Sequence, residues 1–294
     1  MAAAGGKPTE EFRFRRLDKP EEFRAVEEVQ RLAFGLTDEP PLAPSLQRAM
    51  QDQGGLVLGA FTDIYLAAFA VGFLGWDGTT LYHYSHLIGV RPEYQNHHLG
   101  FRLKSFQRDE VLRQGLGQVR WVFDPLQSRT AMLAVRKLGA RPTGYKLHYF
   151  GQVGSEQDRG VETDRLSAVW NLADASVEAR MKGTLPTKAE DLRRYQGSAA
   201  IVETEVGETG LRVPSAVAEP SGDTAHIEIP FDLALIRTHT PSALRTWRHA
   251  VRDAFRIAFD LGYEVRDYAV LAPEHERRGF YLLERRAPGA ERAA

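Results

Sequence analysis

Apolar residues recur along the chain with two periods, in segments separated by Gly, Pro and Asp residues. Alternation of apolar and polar residues, or a short unbroken apolar run, predicts a β-strand, whereas apolar residues three and four positions apart predict a helix. In the first half these patterns predict strands at 12–17, 56–61, 64–74, 80–90, 119–123 and 145–150. They predict helices at 20–34, 45–51, 100–114 and 128–138. Strands that alternate with helices indicate a layered α/β domain, and the strand–helix–strand order after residue 80 predicts a parallel crossover and hence a mixed sheet.

The second half shows the same two patterns after a Gly-rich, polar stretch at 151–160. These patterns predict helices at 165–172 and 241–261, and strands at 200–204, 226–229, 264–271 and 279–284. The order strand, helix, strand, strand repeats that of 80–150, which suggests a degenerate second copy of the same half-sheet. We therefore expect two domains, 11–150 and 151–294, with 151–160 as a linker.

Two of the predicted helices are amphipathic. The helix at 100–114 has Leu103, Phe106 and Val111 on one side and places Lys104 and Glu110 elsewhere. The helix at 241–261 has an apolar stripe opposite a basic strip, which consists of Arg245, Arg248, His249, Arg252 and Arg256. Such a strip is usually solvated, although it could face an acceptor groove or a partner subunit and recognise a carboxylate.

The length, charge, hydropathy and cysteine content of the chain exclude several classes of protein. The chain has 294 residues, 43% of them hydrophobic and 26% charged, which suits one large or two modest globular domains. A net charge of −1 argues against nucleic acid or an anionic membrane as a partner held by bulk charge. No apolar run approaches the roughly 20 residues that span a bilayer, and residues 1–8 lack the apolar core of a signal peptide. The absence of cysteine excludes disulfides, cysteine nucleophiles and cysteine-ligated zinc, and we expect a cytoplasmic protein.

The segment 87–100 carries the most specific chemical signal. A short apolar strand ends at Val90, a proline turn follows, and a tight loop leads into a helix at Gly100. Several backbone N–H groups would then lie in one place, at the positive end of a helix. This arrangement predicts a site for an anion such as a phosphate, although an ordinary turn before a packed helix would give the same pattern.

The residues of this loop, the strands beside it and Lys137-Leu138-Gly139-Ala140 resemble one branch of the GNAT superfamily of N-acyltransferases, whose members carry a long C-terminal extension. The resemblance extends through Trp170 and the helix at 241–261. The family's pyrophosphate loop has Gln or Arg, two variable residues, Gly, one variable residue, then Gly or Ala. Gln95 and Gly100 fit this pattern, but His98 stands where the middle glycine is expected, and its side chain could crowd the pyrophosphate or contact it.

The resemblance implies an acyl-CoA co-substrate, such as acetyl-CoA, and no metal. It implies a V-shaped gap between the strands that end at Val90 and Phe123, where an amine attacks the thioester directly. The residues implied to bind the co-substrate are Leu87, Ile88, Val90, Gln95, Asn96, His97, His98, Leu99, Gly100, Phe101, Ser128 and Arg129. Ser128 has a simpler interpretation as a helix N-cap.

His86 and Asp124 are the candidate catalytic residues. His86 lies on the strand that leads to the loop, where a neutral imidazole could take a proton from the attacking ammonium. Asp124 directly follows the next strand and could orient the amine or act as a base through a water. Both have structural alternatives, a hydrogen-bonded core histidine and an Asp-Pro turn. The tyrosine that protonates the leaving thiolate in many relatives is replaced by Val135, and Tyr145 or Tyr149 could substitute for it.

The sequence therefore predicts a GNAT-type acyltransferase that moves an acetyl or succinyl group from acyl-CoA to the primary amine of a small molecule such as an amino acid. The alternatives are a non-catalytic acyl-CoA sensor or scaffold, which His98 and Val135 would favour, and a structural protein that has lost CoA binding. A homodimer is compatible with the sequence. The implied architecture is a GNAT fold with a mixed central sheet, followed by an α/β C-terminal half.

Overall fold

The computed structural model describes residues 11–36, 39–151, 160–184, 195, 197–271 and 276–287. The chain forms two compact units, which divide between Leu116 and Gly117. We call them the N-terminal unit and the C-terminal unit. Both contain helices and strands, which confirms the predicted α/β class. Among the described helices, none is both long enough and apolar enough to cross a lipid bilayer.

The N-terminal unit contains an antiparallel meander of four strands with three α-helices. The strands are β1 (Arg13–Arg16), β2 (Leu56–Phe61), β3 (Leu66–Trp76) and β4 (Leu81–Val90). The helices are α1 (Pro20–Phe34), α2 (Pro44–Asp52) and α3 (Leu99–Arg113), and a 3₁₀ turn spans Pro92–Tyr94. The bounds of α1 and β2 are those that the sequence predicts.

Local signals explain why α1 begins and ends where it does. Pro20 occupies the first helical position, where a missing N–H costs nothing. The Glu22 carboxylate accepts hydrogen bonds from the backbone N–H groups of Asp18 and Lys19 just before the helix. Gly35 follows in the left-handed conformation with φ 60°, a common helix end. The buried side of α1 contributes to the core of this unit, which includes Leu17, Phe23, Val26, Val29, Val57, Leu66, Phe69 and Val71.

Strand β4 contains a bulge at His86. Val71 of β3 lies opposite Leu87, but the next residue, Gly72, lies opposite Ser85. His86 is therefore the extra residue on β4. A Cβ on Gly72 would lie 2.2 Å from the Nε2 atom of His83, so glycine is needed at that position. Bulges re-aim side chains and are frequent beside active sites.

The described residues of the C-terminal unit form three sets of paired strands. In the first, β7 (Arg165–Asn171) pairs antiparallel with both β5 (Gln118–Phe123) and β6 (Arg141–Lys146). The second is the hairpin of β9 (Val202–Val206) and β10 (Arg212–Val217). The third is a mixed sheet in the order β12-β13-β11-β8, where β8 is Ala199–Ala200, β11 is Thr224–Ile229, β12 is Tyr263–Leu271 and β13 is Arg278–Arg285.

In the described part of the same unit the structure has four α-helices. They are α4 (Ser128–Ala131), α5 (Ala175–Met181), α6 (Leu233–His239) and α7 (Pro241–Asp260). A π-helical segment, Met132–Lys137, continues directly from α4. The predicted helix at 128–138 is therefore present as a short α-helix followed by a π-helical segment.

Several predicted elements of this half are wrong. Residues 165–172 are predicted as a helix but form β7, because the run is buried on nearly every residue and is hydrogen-bonded between two strands. The strand predicted at 145–150 lies earlier, as β6, and 147–150 form turns. Strand β10 and helices α5 and α6 have no counterpart in the prediction. Of the predicted linker, residues 152–159 lie outside the described residues.

The predicted domain boundary at 150/151 does not coincide with a break in strand pairing. Strand β7 follows that position, yet it pairs with β5 and β6, which precede it. The division into domains 11–150 and 151–294, and the idea that the second half is a degenerate copy, remain predictions about how the chain is organised.

Candidate functional site

The loop between β4 and α3 is fixed at its start by Arg91. Its backbone N–H donates to the Ala67 carbonyl at 2.9 Å, and its Nε donates to the Leu66 carbonyl at 2.8 Å. Its guanidinium also pairs with Glu28 of α1 at 2.8 Å. Arg91 is buried, so these bonds hold the end of β4 firmly against β3.

The backbone between Gln95 and the start of α3 adopts an unusual conformation. Asn96 has φ 69° and His98 has φ 57°, both in the left-handed region that glycine adopts most easily. His98 is the residue directly before α3. His98, which stands where the pattern has glycine, thus adopts a backbone conformation that favours glycine. This conformation costs a histidine about 1 kcal/mol or more.

This conformation leads directly into the first turn of α3, formed by Leu99, Gly100 and Phe101. The first N–H groups of a helix have no carbonyl partner within it. The earliest bond inside α3 runs from the Arg102 N–H to the His98 carbonyl, at 3.1 Å. The N–H groups at 99–101 therefore lie together at the positive end of a 15-residue helix, which suits an anion.

The predicted loop residues differ in exposure. Asn96, His97 and His98 are exposed, whereas Leu99 is buried in the core. Gln95 is half-buried, and its side-chain amide donates to the Val90 carbonyl at 3.4 Å, back toward the end of β4. In the N-terminal unit the end of β4, the loop and the start of α3 thus form one continuous structure. Leu87, Ile88 and Val90 belong to its strand portion.

His86, the bulged residue of β4, is half-buried among aromatic rings. Its imidazole centroid lies 5.9 Å from the ring of Phe73 and 6.3 Å from the ring of Tyr84. Burial lowers its pKa below the ordinary value. The imidazole is therefore neutral near neutral pH, the form that can accept a proton.

Asp124 is buried and engaged in an ion pair. Its two carboxylate oxygens accept hydrogen bonds from the two terminal nitrogens of Arg248, at 2.7 and 3.1 Å. Its Oδ1 also accepts from the Leu126 N–H at 2.9 Å. Burial opposes ionisation, but the charge and hydrogen bonds of Arg248 outweigh it and hold the pKa of Asp124 below its ordinary value. Such a carboxylate is a weak base, and this geometry supports the structural alternative for Asp124.

Two tyrosines hold the segment that follows Asp124. The Tyr281 hydroxyl donates to the Pro125 carbonyl at 2.9 Å, and the Tyr268 hydroxyl donates to Ser128 Oγ at 2.8 Å. These tyrosines come from β13 and β12, and all four residues are buried. Ser128 is not the N-cap of α4, a role that Gln127 occupies without a side-chain hydrogen bond. Arg129, beside it, is exposed.

The candidate proton donors for a leaving thiolate differ in their surroundings. Val135 is buried in the π-helical segment. The Tyr145 hydroxyl donates to Asp164 at 3.0 Å, and burial together with the Asp164 charge raises its pKa. Tyr149 is exposed and packs edge-on against Phe150. Of the two substitutes that the sequence offers, Tyr145 is thus committed to a carboxylate and is a weaker acid than usual.

A buried polar cluster joins β4 to α3 and escaped the sequence analysis. Lys104 Nζ donates to Ser85 Oγ at 2.8 Å and to Gln107 Oε1 at 2.9 Å, and the Gln107 amide lies 3.2 Å from His83 Nε2. Burial lowers the pKa of Lys104 to about 7 and, together with the Lys104 charge, lowers that of His83 to about 3. The helical spacing of the sequence does place Lys104 and Gln107 together, because one face of the helix contains positions 103, 104, 107, 110 and 111. Lys104 and Glu110 were assigned to the opposite side of the helix, so the cluster was missed.

The predicted basic strip on α7 is divided in the structure. Arg248 is fully buried against Asp124, and Arg252 binds Asp164 at 2.7 and 3.1 Å. His249 lies 3.2 Å from Glu162, while Arg245 and Arg256 are exposed. In the described part of the chain, no three His, Asp or Glu side chains are grouped closely enough to hold a metal ion.

A comparison with models of known families finds no match, and a search of curated proteins finds none either. Among solved structures, the ribosomal-protein-S18-alanine N-acetyltransferase from Escherichia coli is 17% identical and matches 56% of this chain and 96% of its own, with a TM-score of 0.46. An acetyltransferase of the GNAT family from Streptococcus pneumoniae is 15% identical over 54% of this chain and 98% of its own, with a TM-score of 0.43.

Aminoglycoside 6'-acetyltransferase type Ii is 16% identical and matches 55% of this chain and 97% of its own, with a TM-score of 0.44. Each of these three solved structures is an acetyltransferase, and each is similar to slightly more than half of the chain.

Proposed function

We propose that this chain is a GNAT-type N-acyltransferase that moves an acetyl or succinyl group from acyl-CoA to the primary amine of a small molecule such as an amino acid. The observation that carries the proposal is the backbone at His98. It has the left-handed conformation of the missing glycine and leads directly into a long helix. Together with Gln95 and Gly100, this conformation supports a pyrophosphate loop in which histidine replaces glycine without changing the path of the chain.

In this proposal the N–H groups of Leu99, Gly100 and Phe101 bind the pyrophosphate. A cluster of N–H donors at a helix start binds phosphate without any charged side chain. Asn96, His97 and His98 are exposed at the same loop and would border the ligand, while Gln95 holds the loop to β4. A backbone N–H within Leu87, Ile88 or Val90 would polarise the thioester carbonyl.

His86 is proposed as the base that takes the proton from the attacking amine. Its neutral state supports this role, because an imidazolium could not accept a proton. Its position as the extra residue of a bulge also supports the role, since a bulge gives one side chain a direction that the regular strand would not. The amine then attacks the acyl carbon, the C–N bond forms, and the C–S bond breaks to release CoA thiolate, which takes its proton from water.

Asp124, Ser128 and Arg129 have more restricted roles in the proposal. Because Asp124 is bound to Arg248, it contributes by fixing the turn after β5 rather than by moving protons. Ser128 is held by Tyr268, whereas Arg129 is exposed. Arg129 would contribute a charge-assisted contact to a phosphate.

The co-substrate is tested first, by following the melting temperature during titration with acetyl-CoA and, separately, succinyl-CoA. A ligand that binds only the native state must raise the melting temperature. The matched variants are Gly100→Asp and Gly100→Asn, which add side chains of the same size. Aspartate near a helix start is favourable for folding but repels a pyrophosphate. We expect the shift to be lost in Gly100→Asp and largely kept in Gly100→Asn; no shift with either CoA in the unmodified protein would refute the proposal.

A second candidate function is acyl-CoA binding without turnover, as in a sensor or scaffold. The burial of Val135, which stands in place of the usual thiolate acid, favours it. Release of free thiol is therefore measured with a panel of D- and L-amino acids and other primary amines. Thiol release that depends on an amine supports the enzyme, whereas a melting shift without thiol release for any amine supports the sensor.

A further inference from the structure

The C-terminal unit contains a surface cleft of about 720 Å³ between β10 and the first half of α7. Many of its lining side chains are small, among them Pro214, Ser215, Ala216, Ser242 and Ala250. A second hollow of about 370 Å³ shares Val217 and Asp253 with it and extends along the same helix. The volume is typical of a site for a small molecule.

Arg245 supplies a positive charge at one end of this cleft. It is exposed and forms no ion pair with any other described side chain, unlike Arg248 and Arg252 of the same helix, which each hold an aspartate. It lies in the second turn of α7, near the positive end of a 20-residue helix. Both features favour a carboxylate in this part of the cleft.

Asp253 supplies a negative charge farther along. It is also exposed and has no ion-pair partner within the described part of the chain. It lies eight positions after Arg245, which corresponds to about 12 Å along a helix axis. His249 lies between them, but its Nε2 is already within 3.2 Å of Glu162. The cleft therefore offers opposite charges at two separated points.

The backbone of β10 forms the other wall. The Trp247 indole N–H of α7 donates to the Arg212 carbonyl of β10 at 3.2 Å. Among the described strands, β10 pairs with β9 alone, so its other edge has no strand partner. Beyond Pro214 the strand is irregular, because Ser215 is an extra residue in the pairing with β9. Backbone groups on a free strand edge can bind an extended main chain.

We propose that this cleft binds a short zwitterionic peptide of two or three residues, with its terminal carboxylate at Arg245 and its terminal ammonium toward Asp253. Three extended residues span about 10 Å, which is comparable to the rise of about 12 Å between positions 245 and 253 along the helix axis. The small lining side chains leave room for side chains of the peptide, and the strand edge provides main-chain hydrogen bonds. This site belongs to the C-terminal unit and does not depend on acyl-CoA binding.

The probe is trialanine, with binding to the full-length protein measured by isothermal titration calorimetry. Trialanine amide lacks the carboxylate, N-acetyl-trialanine lacks the ammonium, and free alanine has its charges too close together. We expect trialanine to bind at least about tenfold more tightly than each of these three ligands, because each loses one charged contact.

The variants are Arg245→Gln and Asp253→Asn, with Arg24→Gln, an exposed arginine of α1, as the matched control. Arg245→Gln should weaken the binding of trialanine by about tenfold or more but leave the affinity for trialanine amide, which lacks the carboxylate, unchanged. Asp253→Asn should weaken trialanine by a similar factor but leave the affinity for N-acetyl-trialanine, which lacks the ammonium, unchanged. The melting temperature of each variant verifies its fold, and exposed positions of this kind tolerate such changes. Absence of trialanine binding, or equal affinity in the protein and in Arg245→Gln, would overturn the proposal.

Discussion

Arg248 and Asp124 are separated by 124 positions in the sequence and form a bidentate ion pair inside the C-terminal unit, with N–O distances of 2.7 and 3.1 Å. Arg248 is fully buried and Asp124 nearly so. The pair connects helix α7 to the turn that follows β5. Since Tyr281 and Tyr268 hold the same turn from β13 and β12, three elements of the C-terminal sequence fix the path of residues 124–128.

Removing one partner of this ion pair should be strongly destabilising. Arg248→Met leaves a buried carboxylate without its cation, which typically costs about 3 to 5 kcal/mol. The double variant Arg248→Met with Asp124→Asn removes both charges and should recover a large part of that loss. Denaturant unfolding of the two variants and the unmodified protein provides the comparison.

The same variants distinguish structural from catalytic roles for Asp124. If the carboxylate only fixes the turn, the recovered double variant should keep most of its acyl-transfer rate. A well-folded double variant without turnover would instead support Asp124 as a base. Equal stability of Arg248→Met and the unmodified protein would contradict the importance of the pair.

His98→Gly should stabilise the protein. His98 has φ 57°, and the left-handed conformation costs a residue other than glycine about 1 to 2 kcal/mol. Glycine avoids this cost, but its greater backbone freedom in the unfolded chain lowers the free energy of unfolding by about 0.5 to 1 kcal/mol. The net gain is therefore expected to be about 0.5 to 1 kcal/mol. His97→Gly is the control. His97 is next to His98 and is also exposed, but its φ is not positive, so only the entropy cost of glycine applies. Denaturation midpoints should move in opposite directions; a loss of stability in His98→Gly would contradict the strain.

Local sequence signals predicted the elements whose ends they mark. Proline at the first helical position and glycine after the last turn define α1, and the unbroken apolar run at 56–61 defines β2. Strand β7 was missed because an apolar run with buried residues on both faces has no period that separates strand from helix. Its hydrogen bonds to β5 and β6, which decide the matter, are made to residues distant in sequence.

The sequence predicted the part of the candidate site that the local backbone forms. It did not predict the buried charged side chains around it. The strand, loop and helix start at 87–101 follow from local pattern. Lys104 and Arg248 were assigned to polar faces because charged side chains are rarely buried without partners. Their partners, Ser85 on strand β4 and Asp124 at a distant turn, become neighbours only in the folded chain.

The stability of the N-terminal unit should depend on the protonation of Lys104. Burial lowers its pKa from 10.5 to about 7. Between these values the unfolded chain binds a proton that the folded chain does not, so stability rises with pH across this window and falls as the pH is lowered toward 7. Lys104→Met keeps the length of the side chain and removes the titration.

The free energy of unfolding of both proteins, measured across the same pH range, isolates this effect. The difference between them should grow as the pH falls, by an amount on the order of a few kcal/mol. His83 should give an analogous dependence at lower pH, since burial and the Lys104 charge lower its pKa from 6.5 to about 3. Parallel pH profiles for the unmodified protein and Lys104→Met would contradict a buried, titrating lysine.

His86→Gln should abolish most acyl transfer while keeping CoA binding. Glutamine preserves size and hydrogen bonding but cannot accept a proton, and loss of a general base typically costs about 100-fold or more in rate. Because burial lowers the pKa of His86, the rate of the unmodified protein should fall only when the pH drops below the ordinary histidine range. The measurements are thiol release against pH and the melting shift with acetyl-CoA, with His239→Gln, an exposed histidine of α6, as control. If His86→Gln retains the rate and pH profile of the control, the base is a different group.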